Sequence, residues 1–461
     1  MFQKANDYFK VLVKNPTVKH LLLWALLLVI CSVIFYIRYP YTYIYSNFYA
    51  EDGNILVKNI LEEGPIKGAL TLFNGYLVLG QYMLTEIAVV VNAVFGQGFE
   101  TLAKAIAVVS YAFWGLVVTL PFLLFRRQLG TLLALLLVAL LTIVPIGGYD
   151  YAVIGTIGNL KFAFFFIAAL LVIYRNQLSK ETKKWRFIII DSILLLCALT
   201  NIITVVLLPF LLLRYKDILT GIFKNFKKTI KSLKVEHYSL IALALLSMIY
   251  AVAVYARGIP EMKGYLDEPL WPAALLDILY RGSVYGLTFS VNNFMHDATA
   301  LLLIGLFSLL AIYSRYRVIL LFIAFAIIVN VLGFALNRPG ITHLFEVYTT
   351  DGGPGLFFYA GTLLFVFGFV YALKDWFRRQ AKKSKVVLSV LVVAFCIIVL
   401  PASNVGKVSY DSITSKRPTL AAEVDRVCDA TTQNANKVEI GIYPAVNWTL
   451  TLPRQQVCDT P

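Results

Sequence analysis

Charge is scarce in this chain. Asp, Glu, Lys and Arg make up 15% of its 461 residues, hydrophobic residues make up 59%, and mean hydropathy is +0.76. That balance excludes an ordinary soluble enzyme of one or two domains; the solvent it is written for is lipid. Also missing are a G-x-x-x-x-G-K-[ST] loop, an H-E-x-x-H helix, a G-x-S-x-G turn and any paired C-x-x-C. Their absence argues against soluble nucleotide chemistry and against the hydrolases built on those motifs. No A-x-A-like site follows the first apolar run, so that run reads as an uncleaved span and not as a signal peptide. No internal repeat of the kind found in transporters is visible.

What the chain does have is apolar runs near the roughly 20 residues needed to cross a hydrocarbon core, such as His20 to Tyr36 and Val318 to Leu336. Lys and Arg number 41 against 26 Asp and Glu, a net charge of +15. In a membrane protein this excess belongs first to cytoplasmic loops, so no nucleic-acid partner is expected. The clusters Arg126-Arg127, Arg175 to Arg186, Arg214 to Lys234, Arg315 to Arg317 and Lys374 to Lys385 are therefore assigned, with the N-terminus, to the cytoplasmic side. About eleven spans follow, at 19–37, 102–125, 131–146, 161–174, 187–200, 201–214, 238–256, 298–314, 318–336, 357–373 and 386–401, leaving the C-terminus outside.

Two segments need separate argument. Residues 187–214 as one long helix would put two basic clusters on opposite faces, so the sequence predicts two crossings broken at Thr200, Asn201 and Thr204. Tyr76 to Phe95 is apolar enough to cross, but crossing would invert every later loop. Its Gln81, Thr85 and Asn92 share a helical face, which predicts an amphipathic helix at the outer interface or a re-entrant hairpin. Leu56 to Glu63 reads as a second interfacial helix. The expected fold class is an all-α polytopic membrane protein, with a transmembrane domain over 1–401 that includes interfacial helices in its first outer loop, 38–101. A small extracytoplasmic α/β domain over 402–461 follows. In it, Pro418, Leu420, Val424 and Val427 suggest a helix, and Val438 to Tyr443 and Trp448 to Leu452 alternate like strands. Cys428 and Cys458 bracket this tail and favour a disulfide, whereas Cys31, Cys197 and Cys396 sit in apolar runs as small buried hydrophobes.

Chemistry is expected in the outer loops. The first contains Phe48-Tyr49-Ala50-Glu51-Asp52-Gly53, two adjacent carboxylates among aromatics at a membrane edge. Either could serve as a general base in a site shielded from water, or both could simply cap the helix that follows. Lys161, after Gly158-Asn159-Leu160, and Arg338 and His343 in the last large loop could hold a phosphate, or could snorkel to lipid headgroups. Arg281 and Asp351 add outer-loop charges, and Tyr49 and Asn159 add polar groups for substrate. The spacing of these outer charges matches no metal-ligand pattern, so no cofactor is indicated, and a divalent metal stays compatible with them. Asp191, the acidic residue deep in a span, lies near the cytoplasmic end, where a water-reaching structural role is expected.

Several of these segments together resemble the GT-C superfamily of membrane glycosyltransferases: Phe48-Tyr49-Ala50-Glu51-Asp52-Gly53, Asn74-Gly75-Tyr76-Leu77, Gly158-Asn159-Leu160-Lys161 and Ile440-Gly441-Ile442-Tyr443-Pro444-Ala445-Val446-Asn447-Trp448. The last is similar to the close of bacterial members that modify surface polysaccharide. The resemblance implies a polyprenyl-phosphate-linked sugar donor, a lipid-linked or cell-envelope glycan acceptor such as O-antigen, and a site on the outer face of the bacterial cytoplasmic membrane. It also implies an acidic base from the first outer loop, carried here onto Asp52 or its neighbour Glu51. The chain departs from many relatives in having Leu356-Phe357 where they carry an Arg-Tyr pair. Donor-phosphate binding then falls to Lys161, Arg338 and His343, with Trp271 or loop tyrosines available to stack on sugars. A transporter or flippase of lipid-linked glycans shares the many spans but needs no outer base. A glycan polymerase would differ by its lengthened products.

Overall fold

The structure, a computed structural model, describes residues 16–73, 75–95, 97–144, 153–178, 182–215, 233–257, 282–284, 293–335, 355–387, 389–390, 418–429, 436–443 and 448–459. The apolar runs form helices α1 (Pro16–Arg38), α2 (Leu79–Val94), α3 (Leu102–Leu129), α4 (Thr131–Ile143), α5 (Lys161–Gln177) and α6 (Lys184–Thr200). A 3-10 segment, Ile202–Tyr215, follows, and then α7 (Val235–Arg257), α8 (Asn293–Tyr313), α9 (Arg317–Ala335) and α10 (Gly355–Ala372).

Among the described residues three helical stretches are long and apolar enough to cross a membrane: Val18–Arg38, Phe99–Leu129 and Val235–Arg257. The middle one is 72% buried, the outer two 11% and 22%, so α3 is the hub of the bundle while α1 and α7 line its rim. Their outward faces carry Leu22, Leu26, Val29 and Val33 on α1, and Leu245, Met248, Ile249 and Val252 on α7. Rows of exposed large aliphatics suit lipid and not water. Gly115 lets α1 lie close to α3, because a Cβ there would run into Ser32 and the Leu28 carbonyl.

Ten of the expected spans fall on helical segments, of which Thr131–Ile143 and Ile202–Tyr215 are the shortest, and the eleventh extends beyond the described residues. The break at Thr200 and Asn201 is present: α6 stops there, with Asn201 extended (φ −138°, ψ 104°). The next 14 residues wind as a 3-10 helix. At about 2.0 Å per residue they reach about 28 Å, where an α-helix of that length would reach about 21 Å, so the tighter winding brings a short segment near the hydrocarbon thickness.

Hydrogen bonds gather the basic clusters at one end of the bundle. Arg126 meets His20 at the start of α1, Arg378 donates to the Gln128 carbonyl, and Gln128, Gln177 and the Tyr371 hydroxyl bond one another. Arg214 donates to the Arg175 carbonyl, and Arg315 pairs with Asp375. At this end Asp191 is 4% exposed and paired with the Arg175 guanidinium, at 2.5 Å and 2.9 Å, and with Ser239. The expectation that it reaches water is thus corrected: it forms an ion pair that ties α5, α6 and α7 together.

At the opposite end lie the first loop and the C-terminal cap. The cap comprises α11 (Leu420–Cys428), strands β1 (Lys437–Gly441) and β2 (Thr449–Pro453) in antiparallel register, and α12 (Arg454–Cys458), with Cys428 and Cys458 joined as a disulfide. Val438, Ile440, Leu450 and Leu452 point inward by the two-residue strand period, against Leu420, Val424, Val427 and Val457. The α2 helix keeps both of its ends at this end of the bundle, Gly80 bonding Thr200 at the close of α6 and Asn92 bonding Gly98 and Thr101. The expected helix is continuous, without a hairpin turn. Gln81 and Thr85 are buried against the protein, while Met83, Ile87, Val90 and Val94 are exposed, because the polar groups find partners inside the bundle.

Candidate active site

The segment that bears the two carboxylates is held by the cap. Leu420 N–H donates to the Ser46 carbonyl, Tyr443 N–H to Phe48 and Ala50 N–H to Tyr443, so that Tyr49 and Tyr443 form a parallel bridge. The Asn47 amide donates to the carbonyls of Pro418 and Gly441. Ala50 then turns through φ +38°, a left-handed conformation that a non-glycine residue adopts only at a cost on the order of 1 kcal/mol. That turn directs the following π-helical turn, Asp52–Val57, and the helix Lys58–Glu63 into the protein, burying Leu56, Val57 and Ile60. Gln456 donates to the Leu61 carbonyl, and Lys437 pairs with Glu62. The expected interfacial helix at Leu56 to Glu63 is therefore clasped beneath the cap.

Asp52 is 2% exposed. Neither it nor Glu51 makes a side-chain cap on its own helix, so the capping alternative keeps only the charge of Asp52 in the first turn. Instead its carboxylate reaches a loop 105 residues downstream. Oδ1 accepts the Gly158 N–H at 2.5 Å, and the Ile157 N–H is shared between Oδ1 and Oδ2 at 3.1 Å each. Oδ2 thus keeps more of its accepting capacity. No cation neutralises the group among the described residues. Burial pushes its pKa up to about 7; the Ile157 and Gly158 amides pull it down, and the negative charge of Glu51 pushes it up. A Cβ at 158 would crowd the pair, sitting 3.0 Å from Asp52 Oδ1 and 3.3 Å from Glu51 Cβ. Glu51 is partly exposed and lies beside the same glycine.

Lys161 opens α5 three residues further on. Its ammonium lies 5.0, 5.8 and 5.4 Å from the ring centres of Phe73, Tyr76 and Phe162, and donates to the Tyr76 hydroxyl at 3.2 Å. No carboxylate pairs with it among the described residues, so its charge stays available at a helix N-terminus, where backbone dipoles also favour anions. Asn159 contributes its carbonyl to the Tyr359 hydroxyl.

The structure thus brings Glu51, Asp52, Asn159 and Lys161 into one neighbourhood, with Tyr49 engaged by its backbone in the cap. Arg281, Arg338, His343, Asp351 and Trp271 lie outside the described residues. Sequence reasoning missed Gln81 as a site residue: its amide nitrogen donates to the Gly158 carbonyl. Its place on a polar helical face was visible, but the direction of that face was not. Among the described residues no group of three His, Cys, Asp or Glu side chains is placed to hold a metal. No known protein family, curated protein or solved structure matches the chain.

Proposed function

We propose that this membrane protein is a glycosyltransferase of the GT-C type, moving one sugar from a polyprenyl-phosphate donor to a cell-envelope glycan with inversion at the anomeric carbon. The observation that carries the reading is the Asp52 carboxylate: buried, held by backbone amides alone, and raised to about 7, near the value at which a general base works best. Asp52 Oδ2 takes the proton of an acceptor hydroxyl as that oxygen bonds to the anomeric carbon and the polyprenyl phosphate departs. Lys161 offers its charge to the departing phosphate. The gathering of the basic clusters with the start of α1 supports a cytoplasmic N-terminus and an extracytoplasmic Asp52 under the positive-inside rule, in a bacterial inner membrane crossed about eleven times.

A second assignment within the same reading is favoured by burial: Asp52 latches the Gly158 loop, and the more exposed Glu51 is the base. The test is transfer of a labelled sugar from polyprenyl-phosphate donors to envelope glycans in membranes carrying wild type, Asp52→Asn or Glu51→Gln at matched expression. Transfer lost only in Asp52→Asn supports Asp52 as base, and loss only in Glu51→Gln moves the role to its neighbour. No transfer across a broad donor panel overturns the enzyme and favours a flippase of lipid-linked glycans.

A further inference from the structure

Gln81 is 3% exposed, and only half of its amide is used. The nitrogen donates to the Gly158 carbonyl, whose acceptor-only chemistry fixes which end of the amide points there. The oxygen, Oε1, is buried and without a hydrogen-bond partner among the described residues. Nearby hydroxyls are committed elsewhere: Thr85 donates to the Gln81 main-chain carbonyl and Thr200 to the Leu196 carbonyl. A buried amide oxygen with no donor is a standing cost to the fold, which Met would fill without it; of the eight such side-chain atoms among the described residues, this one belongs to the side chain hydrogen-bonded to Gly158, where a donor that arrives from outside would meet it.

The side chain that carries this oxygen lies one glycine away from the candidate base. Gly158 accepts from Gln81 through its carbonyl and donates to Asp52 through its N–H, so one glycine and two hydrogen bonds separate the two side chains. A sugar presents hydroxyls on adjacent carbons. A sugar held through one hydroxyl at Asp52 or Glu51 therefore presents a neighbouring hydroxyl to a second acceptor beside Gly158. We infer that Gln81 Oε1 is an acceptor-sugar binding group, taking a hydrogen bond from a hydroxyl other than the one that attacks, and so selects acceptors that carry that hydroxyl. The inference rests on the transferase reading and deepens it. It holds whichever of Glu51 and Asp52 is the base, because both lie against Gly158.

The test uses the full chain in membranes, a labelled polyprenyl-phosphate hexose, and octyl hexosides with their monodeoxy analogues as acceptors, with wild type, Asp52→Asn, Glu51→Gln and Gln81→Met compared. In wild type, one monodeoxy analogue is expected to lose about tenfold in kcat/KM, the size of one hydrogen bond left unpaired. Gln81→Met should lower kcat/KM for the parent acceptor by a similar factor and treat parent and analogue alike. Equal slowing of both acceptors by Gln81→Met, with the wild-type preference intact, would mean that Gln81 only braces Gly158, and overturns the inference. If Gln81→Met does not fold, the wild-type series decides alone: no analogue slowed more than twofold overturns it too. A wild type inactive with every acceptor sinks the transferase reading and this inference together. Transfer that Asp52→Asn or Glu51→Gln abolishes, without any coupling at Gln81, sinks this one only.

Discussion

Two buried aspartates, one at each end of the bundle, have been treated differently by the fold. Asp191, 4% exposed, receives the Nε–H and Nη2–H groups of the Arg175 guanidinium and the Ser239 hydroxyl, so its charge is cancelled where it sits. Asp52, 2% exposed, receives main-chain amides and a like-charged neighbour. Burial is the same, and compensation is not. A cancelled charge is a clamp; an uncancelled one is free to trade a proton, which is what distinguishes a candidate base from a structural ion pair.

The comparison is broken most severely by removing the charges themselves. Asp52→Asn should cost transfer activity about 10²- to 10⁴-fold, the range of a lost general base, with the protein still folded because the amide oxygen can accept the same N–H groups. Retained activity in that variant would make the second aspartate a clamp like the first. At the other end, Arg175→Met leaves Asp191 buried without its cation and should destabilise by roughly 3–5 kcal/mol, read as thermal unfolding in detergent. Adding Asp191→Leu should recover much of that loss, since a well-packed apolar pair replaces a buried ion pair at little cost.

Smaller effects sharpen the account of how Asp52 is held. Cys428 and Cys458 close a 30-residue separation, so removing the disulfide with paired Ser substitutions should cost the cap roughly 3–4 kcal/mol. Because the cap grips residues 46–50, transfer should fall as the cap loosens, and unchanged transfer would show that the loop holds its own shape. Asn47→Ala removes the two neutral hydrogen bonds that tie the loop to the cap, with a local one from the Phe48 N–H, and should cost roughly 1–3 kcal/mol by the same measurement.

Features governed by charge and periodicity were legible in the sequence. The basic clusters do share an end, the chain does break at Thr200 and Asn201, and the cap has its helix, hairpin and disulfide where alternation and the cysteine positions predicted. The carboxylate pair and Lys161 were legible as candidates. What holds them was not, because it is backbone: the Ile157 and Gly158 amides, and the pairing of Phe48 and Ala50 with Tyr443, involve groups that every residue carries. The direction of the Gln81 face was equally hidden, since a helical stripe of polar residues reads the same toward water as toward a partner. Asp191 was visible as an intramembrane acid, while its pairing with Arg175 depends on two helices meeting. Nor does periodicity distinguish the 3-10 winding of Ile202–Tyr215 from a short α-helix.

Protons provide the most direct test. In the folded protein Asp52 is held near 7 against an ordinary 3.8, so the fold keeps a proton that the unfolded chain has already released between those values. Its contribution to stability therefore falls as pH rises from about 4 to about 7 and is level above that. Activity should run the opposite way, because the base works only when deprotonated. The measurement is the rate of sugar transfer as a function of pH in wild type and Glu51→Gln. The account predicts a rise with a midpoint near 7 and a plateau above it, and a lower midpoint in Glu51→Gln, where the neighbouring negative charge is gone. A rate that is flat across this range in both, or a midpoint that does not move, would contradict it.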